Sequence, residues 1–457
     1  MAAMSDPQET SILTLLRRHA DACTGRIVVG YSGGLDSTVL LSALVRAGLA
    51  NKVLAVHVHH GLSERADAWQ RHCQNTCEKL GVEFIAAAAE LLERDNLEAR
   101  ARDARRRLLI EQVAEHDQLW LAHHQNDQAE TLLLRLLRGA GTRGLAGMAT
   151  QRQWRGVTLL RPLLNVSRAA LEQLAALWQL DWVEDDSNQS ERFSRNYLRH
   201  RVLPLLTARW PATTERFAAA SERLSDDAEL LNYLADEDFA TCGGREETLL
   251  IPAFRRLTAA RQRNLLRGWL HRADVQPPSA TVLQRVLDEI LSAQADREPR
   301  VEWPGGVFTR FRDHLYLLPE GALDPVKQPV HWGVAQQDIV FGPLHLRGVQ
   351  QRDRVPREID EVLHFSLSSI QQKGPMQLRP AVGGERLLWR GMHRQVSELW
   401  RQAAIPPWQR RQLPLFYLGE QLVAVAEIGV ADDWLPQAEE SVWRVTISRS
   451  GGQFPIL

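Results

Sequence analysis

The spacing of apolar positions changes along the chain. Between residues 26 and 138, short β-rich apolar runs alternate with stretches that place apolar residues three and four apart. The runs predict strands over 26–31, 53–58, 82–87 and 119–122, and the stretches predict helices over 36–46, 63–80, 97–115 and 127–138. This alternation predicts a parallel, doubly wound sheet, because each helical crossover returns the chain to lay a strand parallel to the last. Such sheets bind ligands beyond the carboxyl ends of their strands. A helix over 199–206 closes the domain. Residues 212–240 read as one long helix, and 245–320 mix helices with a strand-like tail over 307–318. Residues 319–329 hold a glycine and three prolines and read as a linker. Beyond it the chain turns β-rich, at 344–349, 415–418, 422–426 and 442–447. No internal repeat or low-complexity segment interrupts this order.

The 457 residues accommodate two to three domains at about 150 residues each. Hydrophobic residues are 44% and charged residues 24%, enough to build a sizeable core. No apolar run reaches the roughly 18 residues of a membrane span, and the polar first ten residues lack the layout of a signal peptide. Cys23, Cys73, Cys77 and Cys242 are too scattered for a disulfide framework and fit a reducing, cytoplasmic setting. The net charge of −1 argues against a non-specific polycation, although local patches still admit a nucleic-acid partner. Positive charge is carried almost wholly by arginine, with Lys52, Lys79, Lys327 and Lys373 the only lysines. Arginine suits phosphates and stacked bases; a genomic bias toward Arg codons would give the same composition.

The strongest chemical signal is Ser32-Gly33-Gly34-Leu35-Asp36-Ser37, between a predicted strand and a predicted helix. Two glycines let backbone N–H groups approach an anion, and the helix start adds a positive dipole end. Ser32 and Ser37 can donate hydroxyls. Asp36 beside an anion is repulsive without a cation, which points to Mg²⁺ between Asp36 and phosphates. No lysine follows the glycines, so this is not the common P-loop. The bland alternative is a glycine turn. The hexapeptide resembles the S-G-G-x-D-S loop of the N-type ATP pyrophosphatase (PP-loop) superfamily, which implies ATP split between its α and β phosphates.

A second constellation, His123-His124-Gln125-Asn126-Asp127-Gln128-Ala129-Glu130-Thr131, runs from a strand end into a helix. Asp127, Glu130 and Thr131 share a helix face. This reads as an acidic pocket for a cationic substrate with a second Mg²⁺ contact. A zinc site using His123 and Asp127 lacks an obvious third soft ligand, and acids are also simply favoured at a helix start. Gly139, Gly141 and Gly144 spell a G-x-G-x-x-G, but after a helix, so the dinucleotide reading fails its context test.

Together with the stretch 138–148, this constellation resembles the tRNA(Ile)-lysidine synthetase family. Asn96-Leu97-Glu98 with Ala101, Arg102 and Arg105 is similar to the family's arginine helix. Asp186-Ser187-Asn188 with Arg195, Asn196 and Arg199 is similar to a later motif, and segments within 375–435 to its C-terminal domain. Arg106 stands where the family usually has an aromatic, and Ser397-Glu398 where basic residues precede Trp400. The resemblance implies an α/β doubly wound PP-loop ATPase domain over 25–215 after an extension over 1–24. A mainly helical domain over 216–320 and a small α+β domain over 330–457 complete it.

It further implies adenylation of cytidine 34 in the CAU anticodon of a minor isoleucine tRNA, with release of pyrophosphate. Free L-lysine then displaces AMP, giving lysidine and switching codon reading from AUG to AUA. Residues 32–37 would hold ATP, with Mg²⁺ on Asp36. Asp127 and Glu130, with His123, would bind lysine or cytidine or accept a proton. Arg102 and Arg105 would clamp phosphate or the substrate carboxylate. A homodimer is the family's expectation.

RNA contact is expected from three arginine clusters. The first is Arg192, Arg195, Arg199 and Arg201, and the second Arg255, Arg256, Arg261, Arg263 and Arg267. The third is Arg386, Arg390, Arg394, Arg401, Arg410 and Arg411, interleaved with Trp389, Trp400 and Trp408, an arrangement suited to unstacked bases. Each reads alternatively as a solvated face or as partners for nearby acids. The rival functions are a tRNA thiolase of the same superfamily, for which Cys73 and Cys77 look structural, and a small-molecule adenylating synthetase, which would not need the long C-terminal extension.

Overall fold

The computed structural model describes residues 6–59, 65–88, 97–184, 190–244, 248–293, 298–351, 362–436 and 441–449, without the side chains of 97–103 and 449. Two compact units divide it, Met1–Leu230 and Leu231–Leu457.

In the first unit, α1 (Pro7–Asp21) precedes β1 (Ile27–Gly30), α2 (Leu35–Arg46), β2 (Val53–His59), α3 (Ala66–Leu80), β3 (Glu83–Ala88), α4 (Leu97–Glu111), β4 (Gln118–Trp120) and α5 (Gln125–Leu137). The predicted alternation is present with ends moved by a few residues; the helix predicted over 97–115 stops at Glu111. Then come α6 (Thr142–Leu145), a hairpin of β5 (Gln151–Trp154) and β6 (Val157–Leu160), α7 (Arg168–Leu177), α8 (Ser194–Tyr197), a π-helical turn (Leu198–Val202), α9 (Leu203–Arg209) and the start of α10 (Thr213–Cys242), whose residues from Leu231 on belong to the second unit. The hairpin and α7 had no counterpart in the periodicity reading.

The sheet order is β3-β2-β1-β4-β6-β5, parallel except for the edge strand β5. The inner strands are nearly continuous apolar runs, as a sheet covered on both faces requires. Ile27, Val28 and Val29 of β1 are fully buried; Ile27 and Val29 pack in one core with Val39, Leu40 and Ala43 of α2, and Val28 faces a second core on the other side of the sheet. The order reverses at β1, whose neighbours are β2 and β4. The loops after β1 and β4 therefore open side by side at the switch point, where ligands of such sheets bind.

The second unit holds the helix Ala259–Arg272 and an antiparallel sheet of Leu249–Leu250, His314–Pro319, Gly306–Phe311 and Arg300–Trp303. The single strand-like tail predicted over 307–318 is thus a hairpin, turned at Arg312 with φ 54°. Further along, a five-stranded and a four-stranded antiparallel sheet enclose a core of Trp332, Phe341, Phe365, Phe416 and Trp443. Trp443 is fully buried, with its ring 4.4 Å from that of Trp332. Among the described residues no helix is long and apolar enough to cross a membrane. Trp443→Ala removes a fully buried tryptophan from this core, and a loss of about 3–5 kcal/mol is expected, read as a lowered denaturant midpoint for the second unit.

Candidate active site

The loop after β1 folds as its glycines dictate. Gly33 has φ +80°, and a Cβ there would lie 2.7 Å from Cys73 Sγ and 3.1 Å from Val183 Cγ2, so only glycine fits. Ser32 Oγ accepts from Gly34 N at 3.3 Å and lies 3.1 Å from Ser37 Oγ, which donates to the Gly34 carbonyl at 3.0 Å. Thr38 Oγ1 donates to the Gly33 carbonyl. These hydroxyls brace the loop around the start of α2. Leu35 is buried into the core beneath it, and Asp36 sits in the first helical turn. Cys73, behind Gly33, is buried and its thiol is pushed up to about 12 by desolvation, as is Cys77. Neither is poised as a thiolate.

The loop after β4 delivers the acids. His124 caps α5: its N–H donates to Asp127 Oδ2 at 3.0 Å, and its Nδ1 accepts from Asp127 N at 3.4 Å. Because Nδ1 is an acceptor, the ring proton of a neutral His124 is assigned to Nε2. That atom lies 3.6 Å from Asp36 and 3.6 Å from Asp127, and the ring is 1% exposed. His124 thus joins the phosphate loop to the acidic helix.

Asp127 and Glu130 face two arginines one turn apart. Glu130, 1% exposed, accepts from Arg195 Nε at 2.7 Å and from Arg199 Nε at 2.6 Å. Asp127 Oδ1 accepts from Arg195 Nη2 at 2.9 Å and Arg199 Nη2 at 3.1 Å. Burial opposes ionisation of Asp127, but His124, Arg195 and His123 outweigh it and hold the carboxyl at about 2. Burial likewise opposes the charge of Arg199, and the hydrogen bond and charge of Glu130 push its pKa up instead. Bidentate, charge-assisted pairs of this kind are among the strongest polar contacts a protein makes.

A third arginine completes the cluster. Arg168, first residue of α7, sets Nη1 3.3 Å from both Asp36 oxygens. The cation beside Asp36 in this structure is therefore an arginine that the sequence reading did not single out. Its only sequence signal is the Ser167 N-cap that starts α7. Gln128 binds both the N–H and the carbonyl of Met148, and Arg135 donates to the carbonyls of Gly144 and Gly147. The glycine-rich stretch 139–148 is thereby tied to α5.

The other expected residues fall differently. His123 adjoins Asp127, and Arg105 is exposed on α4, near enough to His57 to help lower its pKa after burial. The side chain of Arg102 and the motif Asp186-Ser187-Asn188 lie outside the described residues. No three His, Cys, Asp or Glu side chains are grouped to hold a metal among the described residues, which leaves the zinc reading without a third ligand. Mg²⁺ asks less, since one or two carboxylates and substrate phosphates suffice. The hard-oxygen donor Asp36, 29% exposed at the helix start, fits that demand.

The arginine clusters also change character. Arg195 and Arg199 face the acids of the site, while Arg201 pairs with Glu191. Arg261 pairs with the buried Asp238, and Arg255 donates to the Leu291 carbonyl. In the third cluster Trp400 and Trp408 are core, not stacking platforms. Trp400 is 3% exposed and donates to the Ala426 carbonyl, and Trp408, 5% exposed, packs edge-on against Tyr316 and Phe311. Their helices turn an apolar face inward, and the tryptophans lie on it. Arg386 is exposed and donates to the His393 carbonyl. Arg394 pairs with Glu398 at 3.2 Å.

The depressed Asp127 gives a pH signature. Its folded value of about 2 lies below the ordinary 3.8. Its contribution of about 2 kcal/mol is thus complete above pH 4 and lost as pH falls toward 2. The stability gap between the wild type and Asp127→Asn, followed by denaturant titration, is expected to close over that window.

Comparison with known proteins fits this site. A profile described as a PP-loop domain matches residues 5–206, a TilS substrate binding domain residues 249–316, and a TilS substrate C-terminal domain residues 376–447. A tRNA(Ile)-lysidine synthase of Legionella pneumophila strain Lens is 35% identical over 421 residues, covering 92% of this chain and 95% of that protein. The synthase of Alkalilimnicola ehrlichii is 38% identical over 409 residues, covering 88% and 89%. That of Pectobacterium atrosepticum is 35% identical over 454 residues, covering 98% and 99%. The chain belongs to the tRNA(Ile)-lysidine synthase family.

Proposed function

We propose that the chain uses ATP to adenylate cytidine 34 of a CAU-anticodon isoleucine tRNA and then joins free L-lysine to that base, forming lysidine. One observation carries the reading: the phosphate loop and the acidic pair meet at a single switch point, linked by His124. ATP would lie on residues 32–37, its phosphates at the start of α2. Mg²⁺, held by Asp36, would supply charge neutralisation between neighbouring phosphates.

The residues around the acids explain how an amine can react there. Lysine's ε-amine must lose a proton, which costs about 4–5 kcal/mol at pH 7. Unpaired carboxylates would raise that cost by favouring the ammonium. Arg195 and Arg199 cancel the charge of Asp127 and Glu130, so the pocket orients the amine without holding it protonated. Asp127, held at about 2, fits a positioning role better than that of a proton acceptor.

The four cysteines are buried and unpaired by disulfides, consistent with the cytoplasmic setting of tRNA modification. They also disfavour the thiolase alternative, because Cys73 and Cys77 lie in the core under the loop. The exposed arginines of the C-terminal domain, Arg386 foremost, are assigned to tRNA phosphates, with Arg394 a weaker candidate because Glu398 already engages it.

Two outcomes test the reading. Asp36→Ala is expected to abolish tRNA-dependent release of pyrophosphate while tRNA binding, measured by filter retention, survives; equal loss of both would remove Asp36 from the chemistry. Arg386→Ala should weaken tRNA binding and lower the slope of log affinity against log salt by about 1, with a smaller change for Arg394→Ala.

A further inference from the structure

Arg168 is held in place more firmly than an incidental partner of Asp36 needs to be. Its backbone N–H donates to Asn126 Oδ1 at 3.0 Å, which fastens the start of α7 to the start of α5. Its Nε donates to Glu172 Oε1 at 3.1 Å, one turn along the same helix. Ser167 caps the helix through Ala170 N. The stem is thus fixed at three points, and Nη1 reaches across to the phosphate loop. Among the described residues Nη2 has no hydrogen-bond or ion-pair partner, and the side chain is 36% exposed. On the other side of Asp36, the buried Nε2 of His124 makes no hydrogen bond.

The charges decide what this arrangement is for. Asp36, Asp127 and Glu130 are matched by Arg168, Arg195 and Arg199. The last two are committed to two buried carboxylates each by short bonds of 2.6–3.1 Å. Arg168 holds a partly exposed carboxylate at 3.3 Å, the loosest pairing of the three. A divalent ion on Asp36 would displace it at little cost. A planar guanidinium so displaced, already beside the loop, is a bidentate donor for phosphate.

Resting on the proposed adenylation, we infer that Arg168 is a phosphate-binding residue of the reaction: it pairs with Asp36 until Mg²⁺ takes that carboxylate, then binds the pyrophosphate end of ATP. In adenylation the cytidine O2 forms a bond to the α-phosphorus, the bond from that phosphorus to the oxygen bridging to the β-phosphorus breaks, and the electron pair departs on pyrophosphate. Arg168 neutralises the charge that gathers on this leaving group. Its Nε bond to Glu172 keeps the fork oriented during the exchange.

The test is calorimetric binding of inorganic pyrophosphate and, separately, AMP, each with Mg²⁺, to the full chain and to Arg168→Ala. Neither titration needs tRNA or lysine, so the result stands apart from whether lysidine is formed. The expected result is a tenfold or greater loss of pyrophosphate affinity with AMP affinity little changed. A fall in tRNA-dependent kcat of about 10²–10³-fold should accompany it. Arg168→Lys, which keeps the charge and loses the fork, should recover part of the pyrophosphate affinity, and it carries the comparison if the alanine variant does not fold. Unchanged pyrophosphate affinity would overturn the assignment. So would equal loss of pyrophosphate and AMP, since that marks a residue that only shapes the loop.

Discussion

The burial of Asp127 and Glu130 behind the phosphate loop is the constraint around which the catalytic unit is arranged. Two carboxylates with so little exposure cannot stay ionised without partners, and removing one member of such a set costs about 3–5 kcal/mol. Arg195 and Arg199 meet that requirement from α8 and the π-turn that follows it, one turn apart. His124 does two jobs: it caps α5 through Nδ1 and turns Nε2 toward Asp36. The switch point of the sheet places these groups together because β1 and β4 are neighbours, although their loops are about ninety residues apart in sequence.

That arrangement explains a division of labour among like residues. Asp36 stays partly exposed and loosely paired, as the proposed exchange of its arginine for a metal requires. Asp127 and Glu130 are clamped by Arg195 and Arg199, a pairing that suits the positioning role proposed for them. Three acids with similar intrinsic chemistry are thus separated by burial and by how tightly each is paired.

The doubly wound sheet and the two loops were legible in the sequence because each rests on local rules. The strand, the Gly33-Gly34 turn and the apolar face of α2 lie within twenty residues of one another, and the acids of α5 follow a strand end. Arg168 was not legible, since one arginine among many carries no mark until the fold sets it against Asp36. The same limit misplaced Trp400 and Trp408. Alternation with arginine resembles a stacking surface in one dimension, while in three dimensions the tryptophans fall on the buried faces of short helices. The hairpin at 306–319 read as one strand because its turn at Arg312 uses a positive φ without glycine.

Joining lysine to one cytidine through an adenylate, the reaction proposed for this site, leaves a product that can be read directly. The most direct measurement is incorporation of labelled lysine into an unmodified CAU-anticodon isoleucine tRNA, with ATP and Mg²⁺, beside a methionine tRNA sharing that anticodon. Label is expected in the isoleucine tRNA alone, with one pyrophosphate released per lysine joined. Cleavage of ATP to AMP and pyrophosphate in the presence of tRNA, with no lysine incorporated, would contradict it and point to a different nucleophile at the same adenylated base.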